Sequence, residues 1–312
     1  MATRASAPAT TDAGVTSSGG VCRVHSRQSV LGSSVAALGL AVLGCAGGGR
    51  AGRQLLEIGD RIGGVDRTAL LLLPSGWSRQ KRWPMVLVAQ HAGTSPRTAT
   101  ESWGFADACD RRGWIGLFPT TPKDISAERE DPWFPVLVDR VAQQRSGDRT
   151  RLCAAGFSGG QSRVYAFAAR HSGLLAAIGG GGGKVGYREM PASEWDPRVN
   201  EVTPISVMHF HGEQDRAVPV EGGVDVHKAS DRTYTIIPVR EGLEIWAEAI
   251  GATTQSNADP PPGVPARCNF HRWKAPTGHV VEGITDPDLG HAWPTWGTDV
   301  VMDFFARVPA KA

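Results

Sequence analysis

The chain has 312 residues, 33 Lys+Arg against 31 Asp+Glu, a formal net charge of +2, and 41% hydrophobic against 21% charged residues. A chain of that size and composition buries its core without needing a disulfide or metal staple. It has no long basic run and no aromatics interleaved with Lys and Arg, which excludes nucleic acid as an expected partner.

Gln28 to Gly49 carries no charge, and within it "VLGSSVAALGLAVLG" (30–44) is an apolar run preceded by Arg23 and Arg27. A basic start followed by a run too short for a comfortable membrane span is the pattern of an export signal. Val42-Leu43-Gly44-Cys45 resembles a bacterial lipobox, which would make Cys45 a lipidation site. A plain secretory signal cut near Gly44 or Ala46 is the alternative. Residues 1–22 are long and polar for such a leader. We therefore expect an export segment over 1–45, a Gly-rich tether over 46–53, and one catalytic domain over 54–312. Localisation is expected outside the cytoplasm, secreted or lipid-anchored, with any membrane contact made through that anchor alone.

"TALLLLP" (68–74) and "PMVLVAQ" (84–90) are short apolar runs between turn residues and read as buried strands. "ESWGFADACDRRG" (101–113) reads as a helix capped by Gly113, followed by a strand over "WIGLFP" (114–119). "VLVDRVAQQR" (136–145) has helical spacing. "TRLCAAG" (150–156) is a strand and "QSRVYAFAARHSG" (161–173) a helix. "GLLAAIGG" and "PISVMHFHG" (204–212) are two more strands, 252–267 a Pro-rich loop, and "WGTDVVMDFFARV" (296–308) a closing amphipathic helix. Alternation of strand and helix implies an α/β fold, a mostly parallel central sheet with helices on both faces. No internal repeat is visible. Beyond Cys22 and Cys45 there remain Cys109, Cys153 and Cys268, so at most one disulfide forms there and its pairing is open. Cys153, within a strand, reads as a small core hydrophobe.

Between strand 150–156 and its helix stands Gly156-Phe157-Ser158-Gly159-Gly160, a G-x-S-x-G. Those five letters arise easily in a glycine-rich chain, but a strand-to-helix turn is the context the motif needs. A serine hydroxyl is a weak nucleophile unless it is exposed, aimed and partnered by a base. An orienting acid and a base should follow in that order. Asp215 in "HFHGEQDRAVP" (209–219) and His291 in "DLGHAWP" (288–294) lie in loops after strand-like runs and fit those roles. The Gly159 amide, at the start of a helix, and an amide of the loop His91-Ala92-Gly93-Thr94 are candidate oxyanion donors. "GGGGGK" (179–184) is not a phosphate loop: Ile178 stands where a Gly is required and Val185 where a Ser or Thr is. It is better read as a run that passes close to the active site. His209 and His211 share a strand face, but no third ligand lies nearby, so no metal site is expected. His91, Trp133 and Trp293 are candidates for the substrate pocket, with core packing the equal alternative for the two tryptophans.

With these residues the sequence resembles the polyhydroxybutyrate depolymerase/feruloyl esterase family of secreted α/β-hydrolases, from about residue 54 to 308. The resemblance rests on "LLLLPSGW", "WPMVLVAQHAGT", "GFADACDRRGWIGLFPT", "RLCAAGFSGGQSRVYAFAARHSGLLAAIGG", "PISVMHFHGEQDRAVPVEGG" and "LGHAWP". It implies an α/β-hydrolase fold, Ser158 as nucleophile, Asp215 as acid, His291 as base, Gly93 and Gly159 at the oxyanion positions, and no cofactor. Departures are His91-Ala92-Gly93 in place of the family's His-Gly-Cys, and Gly159 where Asn or Ala is usual. Implied substrates are hydroxyalkanoate oligomers and feruloyl or acetyl sugar esters. No polymer- or carbohydrate-binding module accompanies the domain, which favours a small or oligomeric ester. A serine peptidase of the same fold and a non-catalytic surface lipoprotein are the competing readings.

Overall fold

Continuous apolar runs along the central strands dictate a sheet with two buried faces. The computed structural model describes residues 52–62, 64–91, 94–121, 132–227, 232–256 and 258–311. The expected export segment with Cys45, most of the tether, and Gly93 lie outside these residues. The described residues belong to one compact unit.

The strands are β1 (Gln54–Ile62), β2 (Val65–Leu73), β3 (Trp83–Ala89), β4 (Ile115–Pro119), β5 (Gly147–Phe157) and β6 (Ala177–Gly181). They continue with β7 (Ser206–Gly212), β8 (Gly223–His227), β9 (Arg232–Ile236), β10 (Thr254–Ser256), β11 (Asn269–Lys274) and β12 (Val280–Asp286). Ten of them form one sheet in the order β1-β2-β4-β3-β5-β6-β7-β12-β11-β10, and β8 and β9 form a separate hairpin. The central block β4-β3-β5-β6-β7-β12 is parallel throughout. Both flanks are antiparallel.

Strand alternation sorts the core. In β5, Leu152 and Ala154 face one apolar cluster and Cys153 and Ala155 the other. The first cluster is covered by helices Trp133–Arg145, Gly159–His171 and Val239–Ala249. The second is covered by Phe105–Arg112 and Gly297–Arg307. Each fully buried Leu, Val or Phe contributes about 1.5–3 kcal/mol through area removed from water, so side chains such as Leu137, Val141 and Phe304 anchor their helices to the sheet. Cys109, Cys153 and Cys268 are all buried and unpaired.

The expected strands and helices from 68 to 212 are present, with boundaries moved by a few residues. Helix 101–113 begins later, at Phe105, because Gly104 (φ 76) breaks it from the π-turn Thr98–Ser102; Gly113 (φ 67) ends it as expected. β1, the β8–β9 hairpin, β11, β12 and helix Val239–Ala249 carry no expectation from the sequence, and the loop expected over 252–267 holds one short strand, β10, which pairs with β11 over three residues. β1 is an edge strand with only Ile58 buried, so it lacks an apolar run. β12 has only three apolar side chains, Val280, Val281 and Ile284, and Glu282 and Gly283 separate them.

Candidate active site

Ser158 sits at the junction of β5 and helix Gly159–His171 with φ 55 and ψ −129. A non-glycine residue there is strained. The turn is held by the Ser158 N–H donating to the Gly181 carbonyl (3.1 Å) and the Ser162 N–H donating to the Ser158 carbonyl (3.1 Å). Glycines make the turn sterically feasible. A Cβ on Gly156 would lie 2.7 Å from the Gly160 carbonyl carbon, and one on Gly160 would lie 2.3 Å from the Ala89 oxygen. The chain leaving β6 passes close by, as the glycine run implied: a Cβ on Gly183 would lie 2.6 Å from the Ser158 oxygen.

Asp215 lies three residues beyond β7. Its Oδ1 accepts from the Ala217 and Val218 N–H groups, both at 2.8 Å. Its side chain is 1% exposed. His291 lies five residues beyond β12. The two loops are laced together: the Glu213 N–H donates to the Asp286 carbonyl (3.0 Å) and the Gln214 N–H to the Leu289 carbonyl (3.0 Å). Gly212 permits this, because a Cβ there would lie 2.1 Å from the Leu289 oxygen. Neither this lacing nor the role of Gly212 was readable from the motif alone; its signal is a glycine directly after an apolar strand.

The structure brings the three side chains together. His291 Nδ1 is 2.7 Å from Asp215 Oδ2, and His291 Nε2 is 2.9 Å from Ser158 Oγ. The carboxylate end is dry while the imidazole keeps 28% of its side chain exposed. An alcohol, an imidazole and a buried carboxylate in series can deprotonate the alcohol and stabilise the imidazolium that forms. The Gly159 and Gly160 N–H groups start a helix, where such groups have no intrahelical partner and favour negative charge.

His91 is exposed and lies against Gly159: its Nδ1 is 2.9 Å from where a Cβ on Gly159 would stand. Trp293 stacks on Trp103 (ring centroids 4.9 Å apart, 12° between planes) and meets Phe157 edge-on at 6.1 Å. Phe157 in turn lies 5.0 Å from the His291 ring. Trp293 thus stands behind the base, one aromatic ring removed from it. Trp133 is a correction. It has no exposed surface and packs in the first core cluster, because the helix it begins lays its first turn onto the sheet. It cannot wall a pocket.

A cleft of about 240 Å³ opens one helical turn from Ser158, lined by Ser162, Ala166, Lys184, Tyr187 and Trp195 among others. A larger hollow of about 470 Å³ lies elsewhere, between helix Val239–Ala249 and the β11–β12 face. Among the described residues no group of His, Cys, Asp and Glu is arranged to hold a metal ion. No helix among them is long and apolar enough to cross a membrane.

No protein-family model matches the chain, and no curated protein sequence matches it. Solved structures do. Acetyl xylan esterase from Aspergillus awamori superposes with a TM-score of 0.57 at 14% identity, over 81% of this chain and 99% of its own. A ferulic acid esterase gives 0.54 at 14%, over 82% and 98%. S-formylglutathione hydrolase from Agrobacterium tumefaciens gives 0.55 at 10%, over 83% and 96%. Together with the sheet order and the strand-to-helix elbow, these likenesses show that the chain has the α/β-hydrolase fold.

Proposed function

We propose that the protein is a serine hydrolase of carboxylic esters. The observation that carries this reading is the unbroken series Ser158 Oγ to His291 Nε2 (2.9 Å) and His291 Nδ1 to Asp215 Oδ2 (2.7 Å), set on a strained elbow. His291 takes the Ser158 proton as Oγ attacks the ester carbonyl. The tetrahedral oxyanion is held by the Gly159 N–H, with Gly93, which lies outside the described residues, as the second donor that the sequence resemblance implies. His291 then protonates the departing alcohol. Water, deprotonated by the same ring, releases the acyl group, while Asp215 fixes the tautomer and stabilises the imidazolium.

The substrate class we propose is a small or oligomeric ester: a hydroxyalkanoate oligomer, or a feruloyl or acetyl ester of a sugar. The sequence motifs support it, as do the names of two structural neighbours, acetyl xylan esterase and ferulic acid esterase. The uncharged run 30–44 ending at Cys45 supports action outside the cytoplasm, in secreted or lipid-anchored form. The reaction is tested with p-nitrophenyl acetate and butyrate. Ser158→Ala should lower kcat by about 10⁶-fold, the scale of losing a triad nucleophile; activity near the unaltered level would reject the mechanism. A panel of feruloyl, acetyl-xylo-oligosaccharide and hydroxybutyrate-oligomer substrates then selects the ester.

A further inference from the structure

Directly beneath the triad runs a second chain of hydrogen bonds that the ester mechanism does not use. Tyr165 Oη is 3.0 Å from His209 Nδ1, His209 Nε2 is 2.9 Å from His211 Nδ1, and His211 Nε2 is 2.7 Å from the Val218 carbonyl oxygen. All three side chains are buried, and the two imidazoles lie nearly parallel, their planes 20° apart and their centroids 5.3 Å apart. With both rings neutral, the chain has a single allowed direction. A carbonyl only accepts, so His211 Nε2 carries hydrogen and its Nδ1 accepts. His209 Nε2 must therefore donate, its Nδ1 accepts, and the Tyr165 hydroxyl donates to it. A proton added at His211 Nδ1 would meet the hydrogen on His209 Nε2, and one added at His209 Nδ1 would force the Tyr165 hydroxyl to turn its hydrogen away. Burial opposes it as well: desolvation lowers the pKa of both rings and raises that of Tyr165, so the phenol keeps its hydrogen.

What the chain joins gives it meaning. Tyr165 stands on the helix whose first residue follows Ser158. Val218 belongs to the acid loop, and its N–H is one of the two that hold Asp215 Oδ1. His211 Nε2 also lies 3.6 Å from Asp215 Oδ2, the oxygen that faces His291. The groups facing His211 are thus His209, Asp215, His291 and the Val218 carbonyl. We propose that His211, its tautomer locked through His209 by Tyr165, is a positioning residue that fixes the Asp215 carboxylate, and so the spacing between the nucleophile's helix and the acid's loop. This rests on the esterase reading of Ser158, His291 and Asp215.

The closing experiment uses the whole protein and two kinds of readout. In kinetics on p-nitrophenyl butyrate, His211→Leu should lower kcat by about 10²-fold, the cost of a carboxylate displaced by an ångström. KM should change little, and the acid limb of the kcat/KM profile should move to lower pH. His211→Gln, whose amide nitrogen can stand in for Nε2, should recover part of the loss. Tyr165→Phe should lower kcat with unchanged KM. Independently, nitrogen-15 spectra of the unaltered protein at neutral pH should show both His209 and His211 neutral with hydrogen on Nε2. That readout decides the matter even where a variant fails to fold. Folded His211→Leu and Tyr165→Phe proteins with unaltered kcat and pH profile would overturn the proposal, as would His211 with hydrogen on Nδ1. An unaltered protein inactive on every ester would instead reject the reaction, with the tautomers still readable.

Discussion

At the scale of single residues, Gly159 and His91 explain one another. The residue after the nucleophile has no side chain here, and the His91 ring occupies the space a methyl would take. Gly159→Ala should therefore displace the imidazole and disturb the oxyanion amide, lowering kcat/KM. In a His91→Ala background the same change should be nearly harmless. The cycle should give a coupling of about 0.5–3 kcal/mol, the range for residues in contact, read from kcat/KM of the four proteins; additive effects would show that the two side chains do not compete for space. Ser158 and Asp215 were legible in the sequence because each lies just past an apolar strand, and His291 because its Gly-containing loop "DLGHAWP" runs directly into the closing helix. The link from Tyr165 to His209 spans 44 residues and depends on how a helix lies on the sheet, so no local pattern announces it. Trp133 illustrates the converse: its residue type fits a pocket wall as well as a core, and only the packing of its helix decides.

At the scale of elements, the parallel block was legible because strands buried on both faces read as continuous apolar runs. The flank was not. Helix Val239–Ala249 has Val239, Leu243, Trp246 and Ile250 at helical spacing directly after Pro238, so its signal does lie in the sequence. β12 is hidden by Glu282, a charge in a buried strand. Its explanation is tertiary: Glu282 accepts from Arg272 Nε on β11 (2.8 Å) and pairs with Arg307 at the end of helix Gly297–Arg307. The strand that delivers His291 is thereby tied to its neighbour and to the closing helix. The arginines are 26% and 37% exposed, so their charges keep contact with water when the carboxylate is lost. Glu282→Ala should lower the unfolding free energy by about 2 kcal/mol, the scale of a hydrogen bond to a charged group, seen as a lower urea midpoint. An unshifted midpoint would mean the pairs contribute nothing.

At the scale of the whole molecule, the alternation of strands and helices and the motif context made the α/β-hydrolase fold legible, while the antiparallel flanks had to be seen. The two buried imidazoles also set a global property. Burial lowers the pKa of His209, and lowers that of His211 despite its hydrogen bond to Val218 and the nearby Asp215. The unfolded chain takes up a proton at each ring as pH falls through about 6.5, and the folded chain does not. Stability is therefore full above that pH and declines below it, with a slope approaching about 1.4 kcal/mol per pH unit for each ring. Urea unfolding followed from neutral to mildly acidic pH should show this loss before the carboxylates titrate; constant stability across that interval would mean the folded rings take up protons as readily as those of the unfolded chain. The central matter is whether Ser158 is an activated nucleophile, and covalent labelling addresses it most directly. A fluorophosphonate probe followed by peptide mass spectrometry should place one adduct on the peptide bearing Ser158, abolished by Ser158→Ala and strongly slowed by His291→Ala. A protein that stays unlabelled, or is labelled elsewhere with Ser158 untouched, would mean that these three side chains meet without forming a catalytic site.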